Sequence, residues 1–174
     1  DVLAMPPSVA AIGALAFSNA DAGAVWFAHA GFNRGGIKNL GGSPQNSSGL
    51  VVTHTVEHLT KDNRDDLYAA NINPIARFPA TNQIVIFGQK TLQADASALD
   101  RINVRRLVLY LKSRVATVAR YLLFDQNVES TWNRFKSQVN PILADTRARF
   151  GLSDYKLILD DTTTTADLVD RNIM

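Results

Sequence analysis

The sequence contains no cysteine among its 174 residues. A disulfide scaffold, a thiol nucleophile, an iron–sulfur cluster and a cysteine-ligated zinc site are therefore excluded. The chain also lacks a long hydrophobic run, because its longest nearly apolar stretch, residues 9 to 17, is far shorter than the roughly 20 residues that span a bilayer. No basic segment precedes this stretch, so we expect neither membrane insertion nor secretion.

The overall composition is that of a folded globular protein. Hydrophobic residues make up 46%, charged residues 20% and aromatic residues 8% of the chain. A chain of this length can bury a sizeable core without a structural metal ion or a stabilising cross-link. We predict one domain over residues 1–174. Residues 31–49 are rich in glycine, asparagine and serine, which predicts a flexible loop or an insertion.

Charge is distributed unevenly along the chain. Residues 101–149 carry ten bases and three acids, whereas the segments before and after them carry more acids than bases. Arginine, the base favoured at protein interfaces, supplies twelve of the 18 basic residues. We therefore predict that four bases of this segment form a protein interface, namely Arg105, Arg106, Lys112 and Arg114. The alternatives are that these bases form a solvated outer face of a helix or that they contact phosphate.

Hydrophobic spacing predicts five helices. The first covers residues 8–18, with Ile12, Leu15 and Ala16 sharing a face, and a short one follows the capping residue Thr60. Two long helices are predicted over residues 104–122 and 130–150, the second with a kink at a proline, and a short one begins at residue 166.

Three segments have the composition or alternation of strands, namely residues 50–56, 83–88 and 155–159. Together with the helices they predict an α+β fold. In this fold two long helices pack on a small mixed β-sheet as a two-layer sandwich, and short helices flank it.

The most specific chemical motif is His54-Thr55-Val56-Glu57-His58, which matches the H-x-x-E-H pattern of one metalloprotease class. In that class both histidines lie on a helix, where residues four apart converge on one zinc ion. The β-branched residues around the motif favour a strand instead, and four strand residues span roughly 13 Å. A metal-dependent hydrolase using His54, Glu57 and His58 is therefore one alternative function, and exposed histidines at a strand end are the simpler interpretation.

Other chemistry has weaker support. The sequence lacks both G-x-S-x-G and the G-x-x-x-x-G-K-[ST] order of a phosphate-binding loop. The acid pairs at 65–66 and 160–161 are typical of helix starts and turns, although they have the ligand type of a cation site. A basic nucleic-acid-binding module is a second alternative, weakened because only Tyr110 interleaves the bases as a stacking aromatic.

Several distinctive blocks follow one another along the chain. They are residues 6–8 (PPS), 23–28 (GAVWFA), 72–79 (INPIARFP), 84–92 (IVIFGQKTL), 101–107 (RINVRRL), 123–127 (LFDQN) with 131–132 (TW), and 160–163 (DDTT). In this order the blocks resemble the tail sheath proteins of contractile-tailed bacteriophages. The resemblance covers nearly the whole chain and points to the conserved C-terminal region of a larger subunit, and from it we expect a fragment.

The resemblance implies mechanical work without catalysis, so no catalytic residue, metal or cofactor is expected. Subunits of this family form hexameric rings stacked in a helix around a tail tube, and contraction drives the tube through the host envelope. The implied partners are other copies of the chain, the tail tube, baseplate and tail-terminator proteins, with no direct nucleic acid and no membrane insertion. The implied location is the virion, after assembly in the host cytoplasm. Under this interpretation Arg105, Arg106, Lys112 and Arg114 meet acidic patches on a neighbour or the tube.

Overall fold

The computed structural model describes residues 4–37, 39–40, 50–160 and 162–171. The chain divides into two compact units, Asp1–Arg106 and Leu107–Met174, and the boundary falls inside a long helix. The prediction of one domain is not tested by this division and stays a prediction. Residues 38 and 41–49 of the predicted loop lie outside the described residues, and its first residues form a helical turn, Gly31–Arg34.

The first unit is built around a β-hairpin. Its elements in chain order are α1 (Pro7–Ala22), α2 (Gly31–Arg34), β1 (Asn39–Leu40), β2 (Leu50–Val51), α3 (Lys61–Ala69), β3 (Ile75–Phe78) and β4 (Gln83–Ile86). β3 and β4 pair antiparallel, with Ala76 opposite Val85. Ile84, Val85 and Ile86 of β4 are all buried, and each such side chain contributes about 1.5–3 kcal/mol.

Small residues bring α1 against this hairpin. Ala10, Ala14 and Ser18, each four residues apart, form its buried face, and both alanines belong to the core that contains Ile84 and Ile86. The face shared by Ile12, Leu15 and Ala16 is therefore not the buried one, since Ile12 is 66% exposed and Ala16 is also exposed. Side chains without bulk let the helix backbone approach closely, and periodicity of large residues alone does not reveal this arrangement.

The second unit contains most of α4 (Ile102–Arg120), α5 (Glu129–Ala148) and α6 (Ala166–Asp170). α5 buries Trp132, Val139 and Thr146, which recur every seventh residue. The Trp132 indole N–H donates to Asn127 Oδ1 at 2.6 Å and so ties the helix start to the preceding turn. Pro141 lies inside α5 as predicted, and Phe150, just beyond the end of the helix, is 87% exposed.

The α+β class is confirmed, whereas the predicted mixed sheet was wrong. Among the described residues the named strands form two separate antiparallel pairs, β1 with β2 and β3 with β4. The strand predicted over 50–56 covers only Leu50–Val51, and no strand forms over 155–159. β3 was missed because the flanking prolines Pro74 and Pro79 leave only four residues to carry a strand signal.

No helix in the part of the chain that the structure describes is long and apolar enough to cross a membrane.

Candidate functional site

The histidine motif does not form the geometry that a zinc protease requires. His54, Glu57 and His58 are exposed, and the segment that carries them is neither helix nor strand. His54 Nδ1 lies 2.9 Å from the hydroxyl of the adjacent Thr53. The histidines therefore lack the helical spacing that directs two imidazoles at one metal ion. Across residues 4–37, 39–40, 50–160 and 162–171, no group of three potential ligands is placed to hold a metal.

Asp160 is engaged in a local turn. Its Oδ1 accepts from the backbone N–H of Thr162 at 3.0 Å and of Thr163 at 3.3 Å, and also from the Thr162 hydroxyl. These donors, the hydroxyl first, hold the pKa of the Asp160 carboxyl below its usual range. The carboxylate therefore acts as a turn residue, and its neighbour at position 161 lies outside the described residues.

The four predicted interface bases do not form one patch. An α-helix turns by about 100° per residue, so Arg105 and Lys112, seven apart on α4, share a side, and Arg114 lies on the opposite side. All three are exposed, and the Arg114 guanidinium lies 5.3 Å from the Tyr110 ring centroid. Of the four bases, Arg105 and Lys112 are therefore the two that lie on the same exposed side of α4.

Arg106 points into the first unit. Its Nη2 donates to Asn19 Oδ1 of α1 at 2.6 Å, and its Nη1 is buried without a hydrogen-bond partner among the described residues. Burial lowers the pKa of this guanidinium. His29 nearby is also buried, and desolvation, followed by the charge of Arg106, lowers the pKa of its imidazole. These contacts give Arg106 a role inside the unit.

The hairpin leaves one strand edge open. β4 is flanked on both sides, because Ile37 N–H donates to Ile84 O and Ile86 N–H to Gly35 O, each at 2.8 Å. β3 pairs with β4 alone. Phe87 N–H donates to Pro74 O at 2.8 Å, so by the alternation of an antiparallel ladder the backbone groups of Ile75 and Arg77 point away from β4. No described residue pairs with this edge.

A second unpartnered surface is the outer face of α1. Val9 and Ile12 are 46% and 66% exposed and lie about 60° apart on this face. Phe17, which is 45% exposed, lies about 140° from Ile12 and borders the buried Ala10.

An aromatic groove lies in the first unit. Its volume is about 730 Å³, within the range of pockets that hold several side-chain-sized groups. Phe78 and Phe87 line it with ring centroids 5.0 Å apart, and Phe32 packs on both rings. Arg64 covers the Phe78 ring at 4.8 Å, and Arg101 donates to the Tyr68 hydroxyl. The groove therefore has an aromatic floor and a basic rim.

Sequence reasoning missed the groove, the open edge and the α1 face. The groove gathers residues from positions 30 to 101, and no local pattern links them. The α1 face did carry a signal, because Ile12 was predicted to share a helix face with Leu15 and Ala16. Taken together, the described surfaces favour binding of polypeptide over reaction chemistry.

Comparison with known proteins gives three curated relatives, each called a tail sheath protein. The protein of Vibrio phage KVP40 is 37% identical over 147 residues, which cover 84% of this chain and 20% of that protein. The protein of Enterobacteria phage T4 is 31% identical over 99% of this chain and 24% of its own length. The protein of Salmonella phage ViI is 34% identical over 66% of this chain and 18% of its length. The chain thus spans about a quarter or less of each relative, and no family model matches it.

Two solved structures share the fold. A chain of the anti-feeding prophage baseplate superposes with a TM-score of 0.75 at 21% identity, covering 97% of this chain and 44% of that one. A chain of an extracellular contractile injection system, the PVC sheath complex in its contracted state, gives 0.77 at 23% identity, covering 97% and 45%. At these identities the likeness establishes the arrangement of the backbone.

Proposed function

Because this chain is homologous to one region of phage tail sheath proteins, we propose that it is part of a structural subunit of a contractile tail sheath. Such a subunit polymerises around the tail tube, and the sheath contracts to drive the tube through the host cell envelope. The observation that carries the proposal is the sequence identity of 31% over 99% of the chain with one tail sheath protein and 37% over 84% with another.

The proposed partners follow from this function. They are other copies of the subunit in hexameric rings stacked as a helix, the tail tube protein, and baseplate and tail-terminator proteins. We place the assembled protein in the virion, in the phage tail, after assembly in the host cytoplasm. Chains with a similar fold occur in a contracted sheath complex and in a baseplate. This similarity supports two of the proposed partners, which are other copies of the subunit and baseplate proteins.

The open edge of β3 is the proposed site of strand exchange between subunits. Backbone groups of Ile75 and Arg77 have no partner among the described residues, and an extended segment from another copy satisfies them by adding a strand. Residues 155–159 offer further support. Their exposure alternates along the segment as in a strand, yet they form no strand with any described residue.

Charge is the second proposed contact. Arg105, Lys112 and Arg114 are exposed on α4, and we assign them to an acidic patch on a neighbour or on the tube. Charge contacts can re-pair when rings slide with less repacking than a buried core requires. Arg106, which hydrogen-bonds Asn19, is proposed to position α4 for that contact.

A proline substitution tests the function at the β3 edge. Arg77→Pro removes one N–H that points away from β4 and leaves the β3–β4 ladder intact, whereas Arg77→Ala removes the side chain and keeps that N–H. Each substitution is made in a complete subunit that contains this chain. Its mass in solution is measured by light scattering, and the particles are viewed by electron microscopy. We expect tubular polymers from the unsubstituted subunit and from Arg77→Ala, and none from Arg77→Pro.

Two results would count against these proposals. We expect the 174-residue chain alone to be monomeric. A complete subunit containing this chain that also stays monomeric at high concentration would overturn sheath assembly. Polymers from Arg77→Pro that match those of Arg77→Ala would retain the sheath function and overturn the β3 edge as the site of strand exchange.

A further inference from the structure

The turn between α4 and α5 presents an aromatic side chain to solvent. Phe124 is fully exposed, its neighbour Leu123 is 62% exposed, and Tyr121 is 74% exposed. Phe124 also has a φ of 74°, in the left-handed region that residues with a side chain rarely adopt. The backbone thus bears a strain that is typical of positions retained for function.

Contacts within the turn hold this conformation. Arg134 Nη1 of α5 lies 3.2 Å from Asp125 Oδ2, and Asp125 N–H donates to Leu122 O at 3.1 Å. Trp132 binds Asn127 on the far side of the turn. Because Phe124 is fully exposed, it adds nothing to the packing of its own unit, and its side chain is available to a partner.

The aromatic groove of the first unit complements this turn. Its floor offers Phe78 and Phe87, and aromatic rings gain from packing on one another beyond their burial. Three bases and one acid line it: Lys61, Arg64, Arg101 and Asp65. Residues 121–129 of the turn contain two acids, Asp125 and Glu129, and no base. Apolar surface therefore meets apolar surface. Asp125 is already paired with Arg134 in its own unit, so Glu129 is the acid that complements the basic rim.

A comparison within the chain shows that this match is selective. Phe150 is also strongly exposed and left-handed, with a φ of 60°. Its sequence neighbours Arg147 and Arg149 are basic, the same sign as the rim of the groove, and they are balanced by Asp154 at 3.6 Å and Asp145 at 3.9 Å. This turn therefore lacks the acidic surplus of residues 121–129. Phe124, with acids beside it, is thus the exposed phenylalanine whose surroundings fit.

We propose that the Phe124 turn of one copy inserts into the aromatic groove of a second copy. The proposal rests on the proposed function, since it names one contact through which copies assemble. The two surfaces are different, so the contact is heterologous, and repetition of a heterologous contact produces a ring or an open helical polymer. The groove thereby receives an aromatic anchor with an acidic border.

The absence of native cysteine makes the contact directly testable by cross-linking in the full chain. One preparation carries Leu123→Cys beside the anchor, and a second carries Asp65→Cys on the groove, which leaves all three bases in place. The two are mixed and oxidised mildly, and the mixed disulfide is identified by mass spectrometry. We expect an inter-copy cross-link whose yield falls about tenfold or more when Phe124→Ala is added to the first preparation, as for loss of a buried anchor.

The matched control replaces Leu123→Cys with Ala148→Cys, which places the thiol beside Phe150. It should give only background cross-linking with Asp65→Cys. Absence of the expected cross-link, or a yield that Phe124→Ala does not change, would overturn the proposed contact. Polymerisation of the unsubstituted complete subunit is measured in parallel. Polymers without the cross-link would overturn this contact alone, and absence of both would overturn the sheath function as well.

Discussion

Asn73 holds the backbone of Lys90 at two points. Its side-chain Nδ2 donates to Lys90 O at 2.8 Å, and its Oδ1 accepts from Lys90 N–H at 2.9 Å. One amide side chain thereby takes the place of a neighbouring strand and fixes the chain just after β4. Lys90 in turn donates from Nζ to Tyr68 O at 2.7 Å, so the same residue links the hairpin to α3.

Asn73→Ala should destabilise the first unit. The substitution leaves the partly buried N–H and C=O of Lys90 without their partner, which costs about 1–3 kcal/mol for each group that stays desolvated. Thermal or urea unfolding followed by circular dichroism measures the loss. Asn33→Ala is the control, because Asn33 is exposed on α2 and should change stability by less than about 0.5 kcal/mol. Equal effects of the two substitutions would show that the paired hydrogen bonds contribute nothing.

Two adjacent glycines should respond very differently to alanine. A Cβ on Gly35 would lie 2.7 Å from Ala30 Cα and from Gly31 N, both backbone atoms, whereas a Cβ on Gly36 would have no atom within 4 Å. We expect Gly35→Ala to destabilise the unit by about 1–3 kcal/mol, as for overpacking, and Gly36→Ala to be nearly neutral. Unfolding midpoints of the two variants provide the measurement, and a neutral Gly35→Ala would refute the close approach.

Stability of the first unit should fall in mild acid because of His29. Burial, together with the Arg106 charge, lowers the pKa of His29 in the folded state below the usual histidine value of about 6.5. Between the lowered pKa and 6.5 the unfolded chain binds a proton that the folded chain does not. The stabilising contribution is thus complete above pH 6.5 and is lost as pH falls toward the folded-state pKa.

Urea unfolding at a series of pH values between 7.5 and about 5 tests this coupling. His29→Gln should flatten the profile over that window. The control His58→Gln alters an exposed histidine and should leave the slope unchanged. A slope that survives in His29→Gln would assign the acid sensitivity to other groups.

Charge reversal on one side of α4 should impair assembly without unfolding the chain. The variant combines Arg105→Glu with Lys112→Glu, two exposed residues on the same side of the helix. We expect polymer formation, followed by light scattering, to fall at least about tenfold, with the unfolding midpoint nearly unchanged. Arg105→Lys with Lys112→Arg keeps the charges and is the control. Normal assembly of the reversed variant would remove these residues from the interface.

Much of the fold was predictable where local signals agree. Thr60 was expected to cap a helix, and its side chain accepts from Asn63 N–H at 3.3 Å at the start of α3. The apolar run at β4 and the long helices α4 and α5 were also identified. The alternation over 155–159 does appear as alternating exposure, but a strand needs a pairing partner, and periodicity gives no information about one.

The candidate contacts were less predictable, because they depend on conformation and on distant residues. The charge surplus over residues 101–149 was visible, but nothing in it indicated that Arg106 turns inward to Asn19. The block containing Phe124 was noticed for its resemblance, whereas its left-handed backbone and full exposure became visible only in three dimensions. The groove exists because the chain brings Phe32, Phe78 and Phe87 together.

The open edge of β3 also affects the tendency of the chain to aggregate before it binds a partner. An unpaired strand edge is a template for aggregation. Pro74 and Pro79 bound β3 to four residues, and Arg77 puts a charge on it. Few backbone pairs are then available to a chance encounter, so only a segment strengthened by side-chain contacts remains attached. In the proposed assembly, a short, charged edge limits pairing with unrelated chains and favours a segment that adds side-chain contacts.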